Sequence, residues 1–104
     1  MSGPVNLGKV EQLRARDGGR CWLCDGPLDF KAEPNSARAP TVEHLLAEYH
    51  KGPTTMANLV LCHRPCNQRL DNLPLVEKIA MREARVREQW KSAMRRQIGA
   101  MLIP

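Results

Sequence analysis

The sequence predicts a small α+β domain, in which two short strands and a short helix lie between an N-terminal helix and a long basic C-terminal helix. Three observations predict this class. The chain has 104 residues, which is enough for one hydrophobic core and a single domain spanning 1–104. Apolar residues recur at helical spacing near both ends. The middle of the chain carries short β-favouring stretches separated by loops that contain glycine and proline.

Residues 1–19 are predicted to form the N-terminal helix. The sequence "DGG", which runs from Asp17 to Gly19, ends its pattern because glycine is a common helix stop. The apolar residues at helical spacing before this stop are Val5, Leu7, Val10 and Leu13.

Residues 20–73 are predicted to form the core of the domain. A Cys-x2-Cys pair opens it in "RCWLCDGPLDF", and residues 31–40 form an exposed loop with two prolines. The stretch "TVEHLL", which begins at Thr41, is the first strand candidate, and "NLVLC" is the second. Pro65 then suits the first turn of a short helix that runs towards Leu70.

Residues 74–104 are predicted to form one long helix. Seven basic and three acidic residues give it a net charge of +4, out of +5 for the whole chain. A basic surface of this kind suits a polyanion, and this helix is a candidate for contact with DNA phosphates. Its apolar residues are spaced by three, four or seven positions: Val76, Ile79, Val86, Trp90, Met94 and Ile98. We expect Trp90 to lie in the core.

The composition excludes a membrane-spanning chain and favours metal ligation over disulfides. No apolar run approaches the roughly 18 residues that a span requires, and no signal-peptide core follows Met1. We therefore expect a cytoplasmic protein. Cysteines in a reducing compartment more often bind metal than form disulfides, and this chain has four.

A structural zinc site takes four tetrahedral ligands, usually as two pairs on tight turns. Cys21 and Cys24 form a suitable first pair. The second pair is Cys66 with either Cys62 or His63. Neighbours on a strand point to opposite faces, so only one of these two can join. Spacing favours His63 slightly, since its two-residue gap to Cys66 matches the gap in the first pair.

Further polar residues form a pattern that zinc alone does not explain. Glu43-His44 is followed after 13 residues by Asn58, and after eight more by Asn67. The central asparagine is followed by leucine, and the last one is preceded by cysteine. With the Cys-x2-Cys pair upstream, this arrangement resembles the HNH nucleases, also called the ββα-metal or His-Me finger nucleases. The resemblance covers about residues 20–73, roughly half the chain.

The resemblance implies a ββα-metal core, in which two antiparallel strands and a helix surround one catalytic divalent cation, with a zinc knuckle in support. By position, His44 would be the general base that deprotonates the attacking water. Asn58 would orient this base and pin the loop between the strands. Asn67 and Glu43 would be the protein ligands of the catalytic cation.

The resemblance also implies a choice for the second zinc pair. In the family this pair lies five and eight residues after the central asparagine, at His63 and Cys66 here, which leaves Cys62 as the alternative. The chain departs from the family pattern in three ways. The final position is Asn67 instead of His, which makes the chain an HNN variant of the pattern. Glu43 replaces the common aspartate. Leu70 stands where a basic residue is frequent, with Arg69 one position earlier.

The function implied by the resemblance is a metal-dependent DNA endonuclease of phage or bacterial type. Zn²⁺ would be structural, and Mg²⁺ or another divalent cation such as Mn²⁺ would be catalytic. We expect double-stranded DNA as partner, and a homodimer or a phage packaging protein as a further one. Two alternatives are a non-catalytic zinc module that binds nucleic acid, and a structural or protein-interaction zinc domain in a phage packaging assembly. His50 is expected to be a surface residue.

Overall fold

The computed structural model describes residues 8–102, which form a small α+β fold with a β-β-α order in its middle. Its elements are α1 (Lys9–Asp17), β1 (Pro40–His44), β2 (Leu59–His63), α2 (Arg64–Leu70) and α3 (Leu75–Leu102). Two single turns of 3-10 helix, Glu48–His50 and Met56–Asn58, lie between the strands. No helix in this part of the chain combines the length and the apolar character needed to cross a membrane.

The two strands pair antiparallel in a two-stranded sheet. The register places Pro40 opposite His63 and His44 opposite Leu59. The two histidines therefore stand at opposite ends of the sheet. Both strands were predicted at nearly these positions. The first begins one residue earlier than expected and ends at His44, because the backbone then turns into the loop.

Strand β2 lies at the centre of the hydrophobic core. Four consecutive residues, from Leu59 to Cys62, are buried, so both faces of this strand are covered. Helices α1 and α2 both pack against it. Leu13 from α1 and Leu70 from α2 are fully buried in the same cluster. The continuous apolar run of β2 is thus explained by burial on two sides.

Helix α1 is held against the core by apolar packing and by contacts of charged side chains. Leu13 packs inside. The Arg16 guanidinium donates to the carbonyl oxygens of Met56 and Leu59, at 2.7 and 2.8 Å. The predicted glycine stop is confirmed, since Gly18 follows the helix with φ of 89°, a conformation that favours glycine. The predicted helical positions Val5 and Leu7 lie outside the described residues.

Helix α3 contacts the rest of the domain mainly through its first half. Lys78 is buried there, and Arg82 donates to the carbonyl oxygen of Trp22 at 3.0 Å. Further along, Gln89 donates to the carbonyl oxygen of Cys24 at 3.2 Å. The prediction that Trp90 lies in the core is wrong: its side chain is 64% exposed, because the helix continues past the edge of the small core.

Candidate metal centre and polar cleft

Four side chains converge in a cluster that could hold a zinc ion. The ligand atoms of Cys21, Cys24, His63 and Cys66 all lie within 4.8 Å of one another. Tetrahedral zinc with its usual bond lengths separates sulfur and nitrogen ligands by about 3.5 to 3.8 Å. The 3.2 Å between Cys24 Sγ and His63 Nδ1 is close to that range. These are the four residues expected from the resemblance, and Cys62 is not part of the cluster.

The first cysteine pair sits on a tight turn. Asp25 has a φ of 61°, and its amide donates to the Cys21 carbonyl at 2.9 Å, which closes the turn. The Gly26 amide donates to Cys24 Sγ at 3.3 Å. A Cβ on Gly26 would approach that sulfur to 3.3 Å and the ring of His63 to 3.4 Å. Glycine at this position therefore lets the turn come close to the cluster.

The second pair is placed by the junction of β2 and α2. His63 ends the strand and caps the helix, while Cys66 lies in the first turns of α2. The His63 Nε2 atom lies 2.8 Å from the carbonyl oxygen of Pro27. A carbonyl can only accept, so Nε2 carries the proton and Nδ1 offers its lone pair to the cluster. A metal-binding histidine is commonly oriented in this way.

The electrostatics of the cluster favour a bound cation. A hydrogen bond with Cys62 lowers the pKa of Cys21 to about 3. Backbone amides, including that of His63, lower this pKa further, whereas burial acts in the opposite direction. Burial and the neighbouring charge of Cys21 raise the pKa of Cys66 to about 12. The protein alone therefore does not ionise all the sulfurs. A divalent cation would supply the missing positive charge.

Cys62 supports the cluster from outside. Its side chain is fully buried, and its thiol forms a hydrogen bond with Cys21. That bond and burial raise the pKa of Cys62, so it stays a neutral thiol that donates to the Cys21 sulfur. All four cysteines are free of disulfides. Strand alternation correctly separated Cys62 from His63, since only the histidine reaches the cluster.

A separate polar cleft brings together three of the residues singled out by the sequence. Glu43, His44 and Asn67 line an open cleft of about 280 Å³ between β1 and α2. Glu43 and His44 end the first strand, whereas Asn67 comes from the helix that follows the second. The other residues that line this cleft are Ala47, Glu48, Gln68, Asp71 and Asn72.

The imidazole of His44 is half-buried at the mouth of this cleft. Its Nε2 atom lies 3.0 Å from the Thr54 hydroxyl and 3.9 Å from a carboxylate oxygen of Glu48. The hydroxyl can either donate or accept, so two tautomers of the ring are compatible with this contact. The ring is held by one hydrogen bond and keeps its other nitrogen available.

The two asparagines are used differently. Asn67 donates through Nδ2 to the Thr41 hydroxyl at 3.1 Å and to the Val42 carbonyl at 3.3 Å, which leaves its Oδ1 available as a ligand atom. Asn58 does not line the cleft. Its side chain exchanges two hydrogen bonds with the backbone of Leu46 and donates a third to the Pro53 carbonyl, all at 2.8–2.9 Å. It thereby holds the loop that follows His44.

The sequence reasoning missed Lys78, which lies behind the cleft. In the sequence it is one of the seven basic residues counted in the C-terminal helix, yet it is fully buried. Its Nζ atom donates to the His44 carbonyl at 2.7 Å and lies 3.2 Å from Glu43 Oε2. The sequence feature that could have indicated such a lysine is Glu43, because a glutamate at a buried strand position requires a cationic or hydrogen-bonded partner.

Glu43 is buried, with 6% of its surface exposed. Burial raises the pKa of its carboxyl group above the ordinary value, and the attraction of Lys78 opposes that change. The Lys78 ammonium lies within ion-pairing distance of Oε2, and no other described residue donates a hydrogen bond to that oxygen. Glu43 is therefore a carboxylate with unused coordinating capacity that already has one cationic neighbour.

Three remaining sequence candidates are part of neither site. His50 is exposed, as expected, and its Nε2 contacts the Asn72 carbonyl at 2.9 Å. Leu70 is fully buried in the core, which explains why a basic residue does not stand there. Arg69 lines a groove against α3 and not the cleft that holds His44.

No protein-family model, curated protein or solved structure matches this chain. The cluster and the cleft are therefore interpreted from their own chemistry.

Proposed function

We propose that this chain is a DNA endonuclease that hydrolyses phosphodiester bonds with the help of a divalent cation. The observation that carries the proposal is the cleft where Glu43, His44 and Asn67 meet. A histidine beside oxygen ligands for a hard cation is the minimum set for hydrolysis of a phosphodiester. The β-β-α order and the nearby cysteine–histidine cluster are what the HNH resemblance leads one to expect, and both support the proposal.

His44 acts as the general base in this proposal. With Nε2 protonated and donating to Thr54, Nδ1 is the free nitrogen that takes a proton from the attacking water. Asn58 holds the loop after His44 in place through its three backbone hydrogen bonds. The imidazole is thereby kept at a fixed position relative to the cleft.

The cleft residues fit a hard divalent cation such as Mg²⁺ or Mn²⁺. Glu43 Oε2 is a buried carboxylate oxygen that contacts the Lys78 ammonium and accepts from no other described residue, and Asn67 keeps its amide oxygen available. Oxygen ligands of these two kinds are those that such cations prefer. When bound, the cation would stabilise negative charge on the phosphate and the leaving oxygen. Lys78 reduces the net charge that Glu43 offers, so we expect weak binding.

The cysteine–histidine cluster has a structural role in this proposal. All four of its donors are protein side chains, so tetrahedral zinc would have no open position for substrate. The cluster joins the Cys21–Cys24 turn to the strand end at His63 and to α2 at Cys66. Zinc binding would therefore hold in place the helix that carries Asn67.

A second function, a zinc module that binds nucleic acid without cleaving it, is favoured by the contact between Lys78 and Glu43. The ammonium group already neutralises the carboxylate that would hold the catalytic cation. If the ammonium group takes the place of the cation in this way, the cleft would bind no second metal. The basic residues of α3 would then be the important ones, and His44 would not.

Plasmid cleavage with the purified zinc-loaded chain tests the proposal. Activity should disappear when the divalent cation is withheld and return when Mg²⁺ or Mn²⁺ is added. His44→Ala should lower the cleavage rate by roughly 10²–10⁴-fold, the range for one general acid–base group. His50→Ala is the matched control, because this exposed histidine lies outside the cleft lining.

The two functions give different results in this assay. Cleavage that depends on cation and on His44 but not on His50 supports the endonuclease. DNA binding by gel shift with no cleavage under any cation supports the binding module. Full cleavage by folded His44→Ala would remove this histidine from the mechanism.

A further inference from the structure

The proposed base, His44, has two ring nitrogens with different surroundings. Nε2 lies 3.0 Å from the Thr54 hydroxyl, whereas Nδ1 forms no hydrogen bond with any residue in the described range 8–102. A nitrogen that takes a proton from water must carry a lone pair. The neutral ring is therefore a base at Nδ1 only when its own proton is on Nε2.

A carboxylate on the Nε2 side of the ring distinguishes the two tautomers. Oε1 of Glu48 lies 3.9 Å from Nε2 of His44. The Thr54 hydroxyl alone leaves the choice open, since it can accept from an N–H or donate to a lone pair. An ionised carboxylate can only accept, so its charge attracts an N–H at Nε2 and repels a lone pair there. Glu48 therefore favours the proton on Nε2 and makes the hydroxyl the acceptor.

The other acidic residues that line the cleft do not oppose this preference through a direct contact. The charge of Glu43 is offset by the Lys78 ammonium, 3.2 Å from its Oε2. Asp71 forms no hydrogen bond or ion pair with the His44 ring. Glu48 is thus the carboxylate that acts on the ring at short range.

The loop after the first strand fixes the backbone of Glu48. This residue begins the 3-10 turn Glu48–His50, four residues after His44. The Gly52 amide donates to the Ala47 carbonyl at 2.9 Å and so closes the chain around the turn. The carboxylate is exposed, but it extends from a backbone position that these contacts hold beside the ring.

The same loop then returns close to its own start, which brings Thr54 to the ring. A Cβ on Gly52 would overlap the Leu46 carbonyl oxygen, so only glycine permits so close a return. The Asn58 side chain donates to the Pro53 carbonyl at 2.9 Å, one residue before Thr54. The position of the hydroxyl is therefore set by the same contacts that hold the loop.

We propose that Glu48 and Thr54 are positioning residues for His44. Thr54 holds the ring so that Nε2 faces Glu48, and Glu48 selects the tautomer with the proton on Nε2. Nδ1 is thereby left with its lone pair for the attacking water. The effect on cleavage rests on the endonuclease proposal, whereas the tautomer is a property of the chain without DNA.

Long-range ¹H–¹⁵N correlation spectra of the zinc-loaded chain, without DNA or added cation, measure the tautomer. Histidine rings are neutral at about pH 8.5, and their protonated and unprotonated nitrogens have distinct shifts. The signals of His44 are those that disappear in His44→Ala. The wild type should carry the proton on Nε2.

Two variants test the residues that set this tautomer. Glu48→Gln keeps the shape and removes the charge, and should lower the ratio of Nε2–H to Nδ1–H by roughly 1.5- to 5-fold, the range for one exposed charge interaction. Thr54→Val should also lower the ratio, because the ring is no longer held towards Glu48, and Thr54→Ser should restore it. The matched controls are Thr55→Val, whose hydroxyl makes no capping bond, and Glu83→Gln on α3, which lies outside the cleft.

Single-turnover cleavage with saturating enzyme measures the consequence. The rate should fall by roughly 2- to 10-fold in Thr54→Val, the range for one hydrogen bond, and recover in Thr54→Ser, with DNA binding unchanged. A wild type with the proton on Nδ1, or a ratio that neither variant changes, would overturn the inference even where cleavage requires His44. The expected tautomer in a wild type that cleaves DNA with no cation would instead overturn the endonuclease and support the tautomer assignment.

Discussion

The cysteine–histidine cluster and the polar cleft both assemble ligand atoms, but their surroundings differ. In the cluster, backbone groups orient the ligands: the Gly26 amide donates to Cys24, and the Pro27 carbonyl accepts from His63. In the cleft, Glu43 is already paired with the Lys78 ammonium.

This difference indicates which site is better suited to hold a metal ion. The cluster offers a complete tetrahedral set of ligands, and the lowered pKa of Cys21 favours a negative charge there that a bound cation would balance. The cleft offers one neutralised carboxylate and one amide oxygen, which suits a cation bound weakly together with substrate and water. We therefore expect tight zinc in the cluster and loosely held divalent cation in the cleft.

Removing a cluster ligand should have the largest effect on the protein. His63→Ala leaves three sulfur ligands. Loss of a residue that only orients a ligand typically lowers metal affinity by about 10–100-fold, and loss of the ligand itself should lower zinc affinity by more than that. The core is small, so a zinc ion bound in the cluster would supply part of the folding free energy. Metal analysis after a chelator challenge should show zinc loss, and thermal melting should lose its cooperativity.

Cys62→Ser is the matched control for that experiment. Cys62 is buried beside the cluster but is not one of its four converging ligands. A serine hydroxyl can still donate to Cys21, so zinc content should stay near one per chain. Zinc loss from Cys62→Ser together with retention in His63→Ala would show that the site uses four cysteines.

The next largest effect should come from the ion pair behind the cleft. Lys78→Met leaves the buried Glu43 carboxylate without its cation and should destabilise the fold by about 3–5 kcal/mol. Denaturant unfolding measures this change. Lys78→Met combined with Glu43→Gln removes both charges and should recover most of the loss. Equal stability of the single and double variants would mean that the charges do not interact.

The pH dependence of Lys78→Met follows from the same carboxyl group. Burial raises the pKa of Glu43 above its ordinary value of 4.5, and the variant loses the attraction that opposes this rise. A carboxyl group with a raised pKa in the folded state contributes stability below its unfolded pKa, and this is lost as pH rises through the folded value. The deficit of Lys78→Met should therefore grow as pH rises above about 4.5.

Much of the cluster could be predicted from the sequence, because its ligands lie in two short segments whose local geometry is strongly constrained. Strand alternation showed that only one of Cys62 and His63 could join the cluster, spacing favoured His63 slightly, and the HNH resemblance implied His63. The cleft depends on long-range packing instead. Glu43 contacts Lys78, which lies 35 residues further along the chain. This contact can be predicted only if the position of α3 on the core is known, and no local sequence pattern encodes that position.

The same limit explains the wrong prediction for Trp90. Helical periodicity identifies an apolar face but does not say what covers it. In α3 the buried side is marked by Lys78 and Met81, while the apolar face that includes Trp90 is exposed to solvent. A lysine in the core and a tryptophan outside reverse the usual assignment. The predicted bounds of the helix were nevertheless close, because its pattern is long and regular.

Loss of the loop anchor should have an intermediate effect. Asn58→Ala deletes three hydrogen bonds to the backbone of Leu46 and Pro53, each worth about 0.5–1.5 kcal/mol. Unfolding should show a loss of roughly 2–3 kcal/mol, and cleavage should fall because His44 is no longer held in place. Asn72→Ala, an exposed asparagine on the same cleft, is the control and should change stability little.

The smallest effect on stability, and the sharpest separation of the two sites, is expected from Asn67→Ala. Alanine suits a helix, and the lost Nδ2 contacts to Thr41 and Val42 should cost about 1 kcal/mol. Zinc content should remain near one per chain, since Asn67 is not in the cluster. Mn²⁺ binding, measured by electron paramagnetic resonance on the zinc-loaded chain, should weaken markedly because one of few oxygen ligands is gone.

Gln68→Ala gives the matched control for Asn67→Ala. Gln68 is the next residue of α2, lines the same cleft and carries the same amide group, but it is not a predicted ligand. Mn²⁺ binding that depends on Asn67 and not on Gln68 would identify the amide oxygen of Asn67 as a ligand. Equal binding by both variants would place the cation elsewhere. Zinc loss from Asn67→Ala would mean that the cluster and the cleft are one coupled site.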